Sequence, residues 1–534
     1  MPLVNIRDIG SVGVITDIAP WDLPPAALSD GMNFRASSGK IQTVGGLRDA
    51  SNGGFGDVIG HITQSTDLDK NSLWLLLGAN TIKAFDGTRA DSIDGNLTFP
   101  NEFISPELWS SCQIGAMVFM NHPEWFPIYW EDRDAALEQA KMLQWSPNYD
   151  KNDDDGPDLI TWEDKGYTCK VIRAHKNFLF ALGMTEDGQV FSDKVRWSHP
   201  AEPNGIPYTW ATPDEDPSSI AGYVSLGRGG AVVGAESLRD SFVIYSDEAI
   251  NVLDYTGDAL GWRRRSVSSS AGLIGKEALV EVKGMHYFIS RDDILMFDGN
   301  QIQSLLHNKL RTRLSQSINN DARDKSWAAH HQTYNEIWFA IPEDDSEYPN
   351  VAYVFNYRDG TWALRDLERP MRHGHFGNQA TQFDERTWDA FDQDWDVPRA
   401  SWHLAGDAPF SGVMYGADED MVQNLDPQDP DVAPASFVRR TDMPIGGMEG
   451  VTTITRVYPL IEGTSTVQLR FGSQQMPGAP VRWSSDYIDF TPGVDRKIDI
   501  RTTGELHAYE VRMKDEGFFN LTGIDVEFSM AGAR

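Results

Sequence analysis

Cysteine is nearly missing. The two in 534 residues, Cys112 and Cys169, exclude a disulfide framework and a cysteine-built zinc site, and suit folding in a reducing cytoplasm. Long apolar runs are missing too. A run such as Leu73–Ala79 is far short of the ~20 residues that cross a bilayer, so no membrane anchor is expected. The first residues, Met1 to Ile15, lack a basic segment followed by an apolar core, so no signal peptide is expected. Basic residues are scarce: 46 Lys and Arg stand against 79 Asp and Glu, a net charge of −33. Tight nucleic-acid binding draws on Lys and Arg that displace counterions, so this balance argues against it, and against anionic membrane surfaces. No Gly-x-Ser-x-Gly elbow, His-Glu-x-x-His helix or Cys–His signature is present.

Aromatic residues ahead of tight turns are abundant. "ILMFDGNQIQSL" (Ile294–Leu305) is an apolar strand, Asp-Gly, then a second strand. "TIKAFDGTRADSI" (Thr81–Ile93) is close to it, and "INVLDYTG" (Ile250–Gly257) and "VAYVFNYRDGTW" (Val351–Trp362) are looser versions. Asp-Gly between strands is a hairpin signal for a two-residue type I′ turn, and the aromatic can pack on its cross-strand neighbour. These units recur every 40–60 residues as three or four strands, the rhythm of propeller blades. An irregular β-sandwich array is the plainer alternative. Apolar alternation of period two dominates the strands.

The expected fold class is mainly β: an irregular β-propeller with an inserted loop and helix region and an additional C-terminal all-β module, sandwich or platform. The expected divisions are an N-terminal arm with platform strands (1–56), a propeller-like array (57–378) with an insertion (121–164), an irregular Trp/Asp-rich linker (379–435), and the C-terminal module (436–534). Helices are expected at Arg133–Leu143, from helix-forming composition, and at His307–Ile318, from an apolar stripe of Leu310, Leu314 and Ile318.

The candidate sites are weak. In "KNDDDGPDLITWE", placing Gly156 at loop position six of a calcium loop puts Lys151 and Trp162 where carboxylates are needed; Asp153 and Asp155 fit, and Glu163 misses by one. "SLGRGGAVVG" has Val232 where a dinucleotide loop needs glycine. His373 and His375 share one face of a strand with no third ligand that sequence can name, whereas the adjacent His330 and His331 point to opposite faces. Accordingly no catalytic, metal-binding or cofactor residue is assigned, and no enzyme activity is expected.

"IRDIGSVGVITDIAPWDLPPAALSDGMNFRASSGKIQTVGG" at the start, "VRWSHPAEPNGIPYTW" (Val195–Trp210), "VSLGRGGAVVGAESLRDSFVIYSDEAINVLDYTGD", "VSSSAGLIGKEALVEVKGMHYFISRDDILMFDG" and "YNEIWFAIP…VAYVFNYRDGTW" follow in this order over about two-thirds of the chain. Together they resemble the tail tubular, or nozzle, proteins of short-tailed bacteriophages. That resemblance implies a structural virion protein of the tail, assembled in the host cytoplasm. It implies a ring, commonly homo-hexameric, below the portal and adaptor proteins, with tail fibres or spikes on neighbouring surfaces. Genomic DNA would pass without tight binding; six copies would carry about −200, and excess carboxylate would not hold a moving polyanion. Two other classes stay open. One is a glycan-binding or glycan-degrading propeller acting as a receptor-binding protein, motivated by many Trp and carboxylates. The other is a cellular interaction hub, for which cleaner repeats are expected. In the nozzle reading, the proline-rich arm Pro2–Pro25 reaches a neighbouring subunit or the adaptor, or else is an edge strand of its own domain.

Overall fold

Seven small antiparallel sheets follow one another along the chain, and the first strand of each packs against the first strand of the next. In a computed structural model these first strands are Ile59–Thr66, Ser110–Ile114, Thr168–His175, Val232–Leu238, Leu279–Val282, Trp327–His331 and His373–Asn378, and the seventh returns to the first. This is a closed seven-bladed propeller. The structure describes residues 2–533 apart from scattered single residues and pairs and the stretches 67–71, 100–102, 132–138, 148–158, 258–260 and 380–411.

The middle strands explain the closure. In Ser72–Gly78, Leu73, Leu75 and Leu77 pack against Val118, Met120 and Trp130 of blade two. Trp74 and Leu76, on the other face, pack against Tyr415, Ala417 and Val422 of blade seven. Likewise Leu179 and Ala181 face blade two while Phe180 and Leu182 face blade four. Both faces of a blade are therefore buried. That is why these strands are continuously apolar, where alternation was expected.

The recurrent aromatic–turn motifs occupy one equivalent place. In blades one, four, five and six they join the third strand to the fourth, with Phe85 opposite Ala90, Tyr255 opposite Trp262, Phe297 opposite Ile302, and Asn356 opposite Thr361. The Asp-Gly turns are four-residue loops rather than two-residue type I′ turns. Asp298 accepts hydrogen bonds from the amides of Asn300 and Gln301, at 2.8 Å each, and Asp86 from the amide of Arg89 at 2.7 Å. With the aspartate side chain capping the loop, the glycine takes a positive φ, 89° at Gly87 and 101° at Gly299.

Three expected boundaries change. Ile128–Glu131 and Lys141–Met142, inside the expected insertion, are the third and fourth strands of blade two; among the described residues, Gln144–Pro147, Leu159–Thr161 and the short helix Trp162–Lys165 form the remaining elements there. The helix expected at Arg133–Leu143 lies largely outside the described residues, and its last turn is strand because Met142 pairs with Ile128. Gly412–Asp418 and Met421–Asn424, inside the expected linker, are strands of blade seven. The second expected helix forms at Arg311–Ser317.

Blade seven is finished by Arg48–Asp49 from the other end of the chain, which pairs with Gln423 and Asn424. Joining the two ends in one blade closes the circle. The remaining strands form two six-stranded sheets of a sandwich. Gly450–Gly463 and Phe519–Ala533 dominate the first, and Ile498–Gly504, Leu3–Arg7, Phe34–Ser37 and Lys40–Thr43 complete it. Phe437–Met443, Val467–Gln474 and Leu506–Met513 dominate the second, joined by Asp30–Met32.

The arm is built into its own molecule. Leu3–Arg7 pairs with Gly523–Glu527. Gly13 pairs in parallel with Trp362 of blade six, at φ 79° and with the Trp362 carbonyl oxygen 2.3 Å from where a Cβ would sit, so no other residue fits. Buried Arg440 donates to the carbonyls of Pro20 and Leu23 at 2.7 and 3.0 Å. Deleting residues 2–25 is therefore expected to expose sandwich and blade-six backbone and strand Arg440. The deletion protein should appear as aggregate, or as a species whose unfolding midpoint in urea is clearly reduced.

A buried ion network locks sandwich to propeller. Arg35 contacts Glu336 of blade six at 2.5 Å and Asp426, just past blade seven, at 2.8 Å. Arg365 reaches Asp426 at 3.1 Å, and His331 lies 3.4 Å from it. The Arg35 guanidinium lies 3.4 Å from the centre of the Tyr334 ring.

Candidate functional site

The polar residues on the propeller axis come from the inner strands and from the turn that leads into blade five. Gly60 begins this assembly. A Cβ there would sit 2.0 Å from the Pro106 carbonyl carbon, so only glycine lets blade one close onto the turn before blade two. Beside it His61 points inward, its Nε2 2.9 Å from Ser111 Oγ of blade two. His373, from blade seven, stacks on His61 with ring centres 4.1 Å apart and accepts the Ile62 amide at Nδ1, 3.2 Å. Its Nε2 lies 3.9 Å from Glu277 Oε2, which precedes blade five. Arg173, from blade three, donates to Glu277 Oε1 at 2.9 Å and to the carbonyls of Ile172 and Lys276 at 3.1 and 3.2 Å. Lys276 lies 3.4 Å from the same carboxylate and donates to the Trp109 carbonyl. Side chains from blades one, three, five and seven of a seven-membered circle come within contact of a single carboxylate only near its centre. The axis is thus filled by these groups.

Their charges follow from where they sit. Burial raises the Glu277 carboxyl, but Arg173 and then Lys276 outweigh it and hold it well below the usual carboxylate range. Burial brings Lys276 down to about 8, against the pull of Glu277. Burial lowers His61 well below its ordinary value, with His373 adding to the effect, and burial also lowers His373. At neutral pH the cluster holds two cations, one anion and two neutral imidazoles.

The ligating atoms of His61, Glu277 and His373 lie within 4.8 Å of one another, the residue set of many catalytic zinc sites. The chemistry does not fit a metal. His373 Nδ1 accepts an amide hydrogen, so its proton sits on Nε2, the nitrogen that faces Glu277. The carboxylate is already neutralised by Arg173, and Lys276 adds a second cation. What the arrangement can do is join five inner-strand regions through charge pairs and stop passage along the axis.

Buried neutral histidines recur elsewhere. Burial holds His122, His286 and His507 at about 4, and all three are 0% exposed. Between pH 6.5 and 4 the unfolded chain takes up protons that the native state cannot. Stability present above pH 6.5 is then lost as pH falls toward 4, by up to about 1.4 kcal/mol per pH unit for each histidine. Urea midpoints measured from pH 7.5 to 4.5 are expected to be flat above 6.5 and to fall steeply below 6.

Of the residues singled out in the sequence, His373 joins the axial cluster. His375 has its ring centre 6.4 Å from that of His373 and lies edge-on to Trp74. His331 joins the Asp426 network, and His330 contacts the Tyr357 hydroxyl at 3.1 Å on the other face. Lys151, Asp153, Asp155 and Gly156 lie outside the described residues, while Trp162 is buried in the short helix. Gly227 lies between blades three and four, its amide bonded to Asp193, and Val232 starts the inner strand of blade four. Sequence reasoning missed His61, Arg173 and Glu277. For His61 and Arg173 the available signal was a charged or imidazole side chain within a first strand, as in "TCKVIRAH"; Glu277, in the turn before blade five, carried none.

No helix among the described residues is long and apolar enough to cross a membrane. No protein-family model matches the chain, and no curated protein does. Among solved structures, the computationally designed Ika8 protein aligns over 71% of this chain and 100% of its own, at 10% identity and a TM-score of 0.33. The extracellular domain of the one component system BT4673 from B. thetaiotaomicron aligns over 90% of this chain and 59% of its own, at 8% identity and a TM-score of 0.38.

Proposed function

We propose that this chain is a non-catalytic wall component of a short-tailed phage tail, forming a ring, homo-hexameric by the resemblance, beneath the portal and adaptor. The genome then passes through the space between copies. The observation that carries the reading is the filled axis: a propeller whose centre is closed by charge pairs serves as a wall piece, not as a pore. Support also comes from the sandwich, which uses both chain ends and is locked to the propeller by the Asp426 network, as a load-carrying piece requires. The acidity suits a conduit that does not retain DNA.

The glycan alternative drew on the number of Trp. Twelve of the described Trp are buried, and only Trp21 and Trp483 are half-buried, so the aromatic wealth is spent on the core. Protein analysis of purified particles tests the proposal. The chain is expected in fixed stoichiometry with the tail proteins, and its absence from particles would refute the reading.

A further inference from the structure

On the second sandwich sheet, Val438, Leu469 and Val511 point into the core, and the alternate residues Arg439, Arg470 and Arg512 point outward. These guanidinium groups are held in place. Glu510, its side chain only 4% exposed, accepts from Arg439 at 2.7 Å, Arg470 at 2.8 Å and the Tyr487 hydroxyl at 2.5 Å. Arg470 lies 4.3 Å from the ring centre of Trp483 and 4.6 Å from that of Tyr487, and Arg512 lies 3.4 Å from that of Tyr487. The side chains of Arg439 and Arg470 stay 32% and 22% exposed, and the buried Arg470 Nε has no hydrogen-bond partner.

We propose that this face is the surface through which the chain binds a second copy of itself. Trp, Tyr and Arg dominate the energetics of protein interfaces, and here a buried carboxylate orders them beforehand, so docking costs little rotamer freedom. Charge selects the occupant. Arg439, Arg470, Arg512 and Lys514, set against Asp30, Asp489 and Glu510, leave this face at +1, whereas the whole chain carries −33. The remainder therefore carries −34. Acidic faces of two copies repel each other, and this face is drawn to the acidic surface of the next copy. A contact between two different patches of one molecule is heterologous, the kind that closes into rings. The interface deepens the ring reading and rests on it only for its place in a tail.

The test uses the full-length chain, by sedimentation velocity over a concentration series at 50 and 500 mM salt. Two variants are compared, Trp483→Ala alone and Arg470→Glu with Trp483→Ala, their folding checked by circular dichroism; Trp483→Ala alone serves if the double change fails to fold. Arg263→Glu, on the exposed outer strand of blade four, makes the same charge change elsewhere. The wild type is expected to associate. Association should weaken at least tenfold in both sandwich variants and at high salt, and should be unchanged in Arg263→Glu. A wild type that stays monomeric overturns the proposal. So do sandwich variants that associate like the wild type, an equal loss in Arg263→Glu, or binding of duplex DNA at this face in place of a second copy. Self-association through this face by a chain absent from particles sinks the tail reading alone. Normal tail assembly by folded sandwich variants sinks this interface alone.

Discussion

Asp426→Ala will cost about 3–5 kcal/mol of stability, because it leaves two buried guanidinium groups with one carboxylate between them. Arg35 and Arg365 contact Asp426 at 2.8 and 3.1 Å, and its side chain is fully buried. Burial alone would raise its carboxyl, yet Arg35 and Arg365 hold it well below the usual range. The Gly45 amide also donates to it, at 3.1 Å. Removal therefore opens the joint among the Phe34–Ser37 strand, blade six and blade seven all at once. Urea unfolding should show the loss, and native-state hydrogen exchange should show it concentrated in Phe34–Thr43 and the strands of blade six. Asp429→Ala, at the exposed pair with Arg48 3.2 Å away, should change stability by less than about 1 kcal/mol. Equal effects at the two sites would mean that the network does not lock the modules.

Glu277→Gln is expected to be comparably damaging, again about 3–5 kcal/mol, and for the same reason at the axis. The side chain keeps its shape but loses its charge, so Arg173 and Lys276 lose the carboxylate they share and keep only the weaker pull of Glu236 and Glu107. Adding Arg173→Met to Glu277→Gln should recover part of the loss, since it removes the stranded charge. If the two changes simply add, the cluster is not a coupled unit. The pH profile of Glu277→Gln separates this from simple repacking. The Glu277 carboxyl lies below its unfolded value, so its contribution is fully present above the unfolded value and is lost as pH falls through the folded one. The gap between wild type and variant should therefore narrow in acid.

Much of the propeller is legible locally. Phe85, Tyr255 and Phe297 sit before turns whose geometry depends on residues next to one another, so the third-to-fourth-strand hairpin can be read from a short window. Blade two escapes such reading because the stretch before Lys141–Met142 has helix-forming composition, and the pairing of Met142 with Ile128 overrides local preference. The sandwich strands after Gly450 are similarly legible, but not their partners. Phe34–Ser37 and Arg48–Asp49 belong by sequence to one arm and by structure to the sandwich and blade seven. The axial cluster is the least legible part. His61, Arg173 and His373 come from the first strands of three blades and Glu277 from the turn before a fourth, and none of them alone marks a site. Only ring closure brings them together.

The most direct test is a cryo-EM reconstruction of the tail from purified virions. Expected is a ring of copies of this chain, each propeller axis filled by side-chain density at His61, Arg173 and Glu277, and DNA in the space the copies enclose. DNA threaded through a single propeller, or tails lacking the chain altogether, would contradict it.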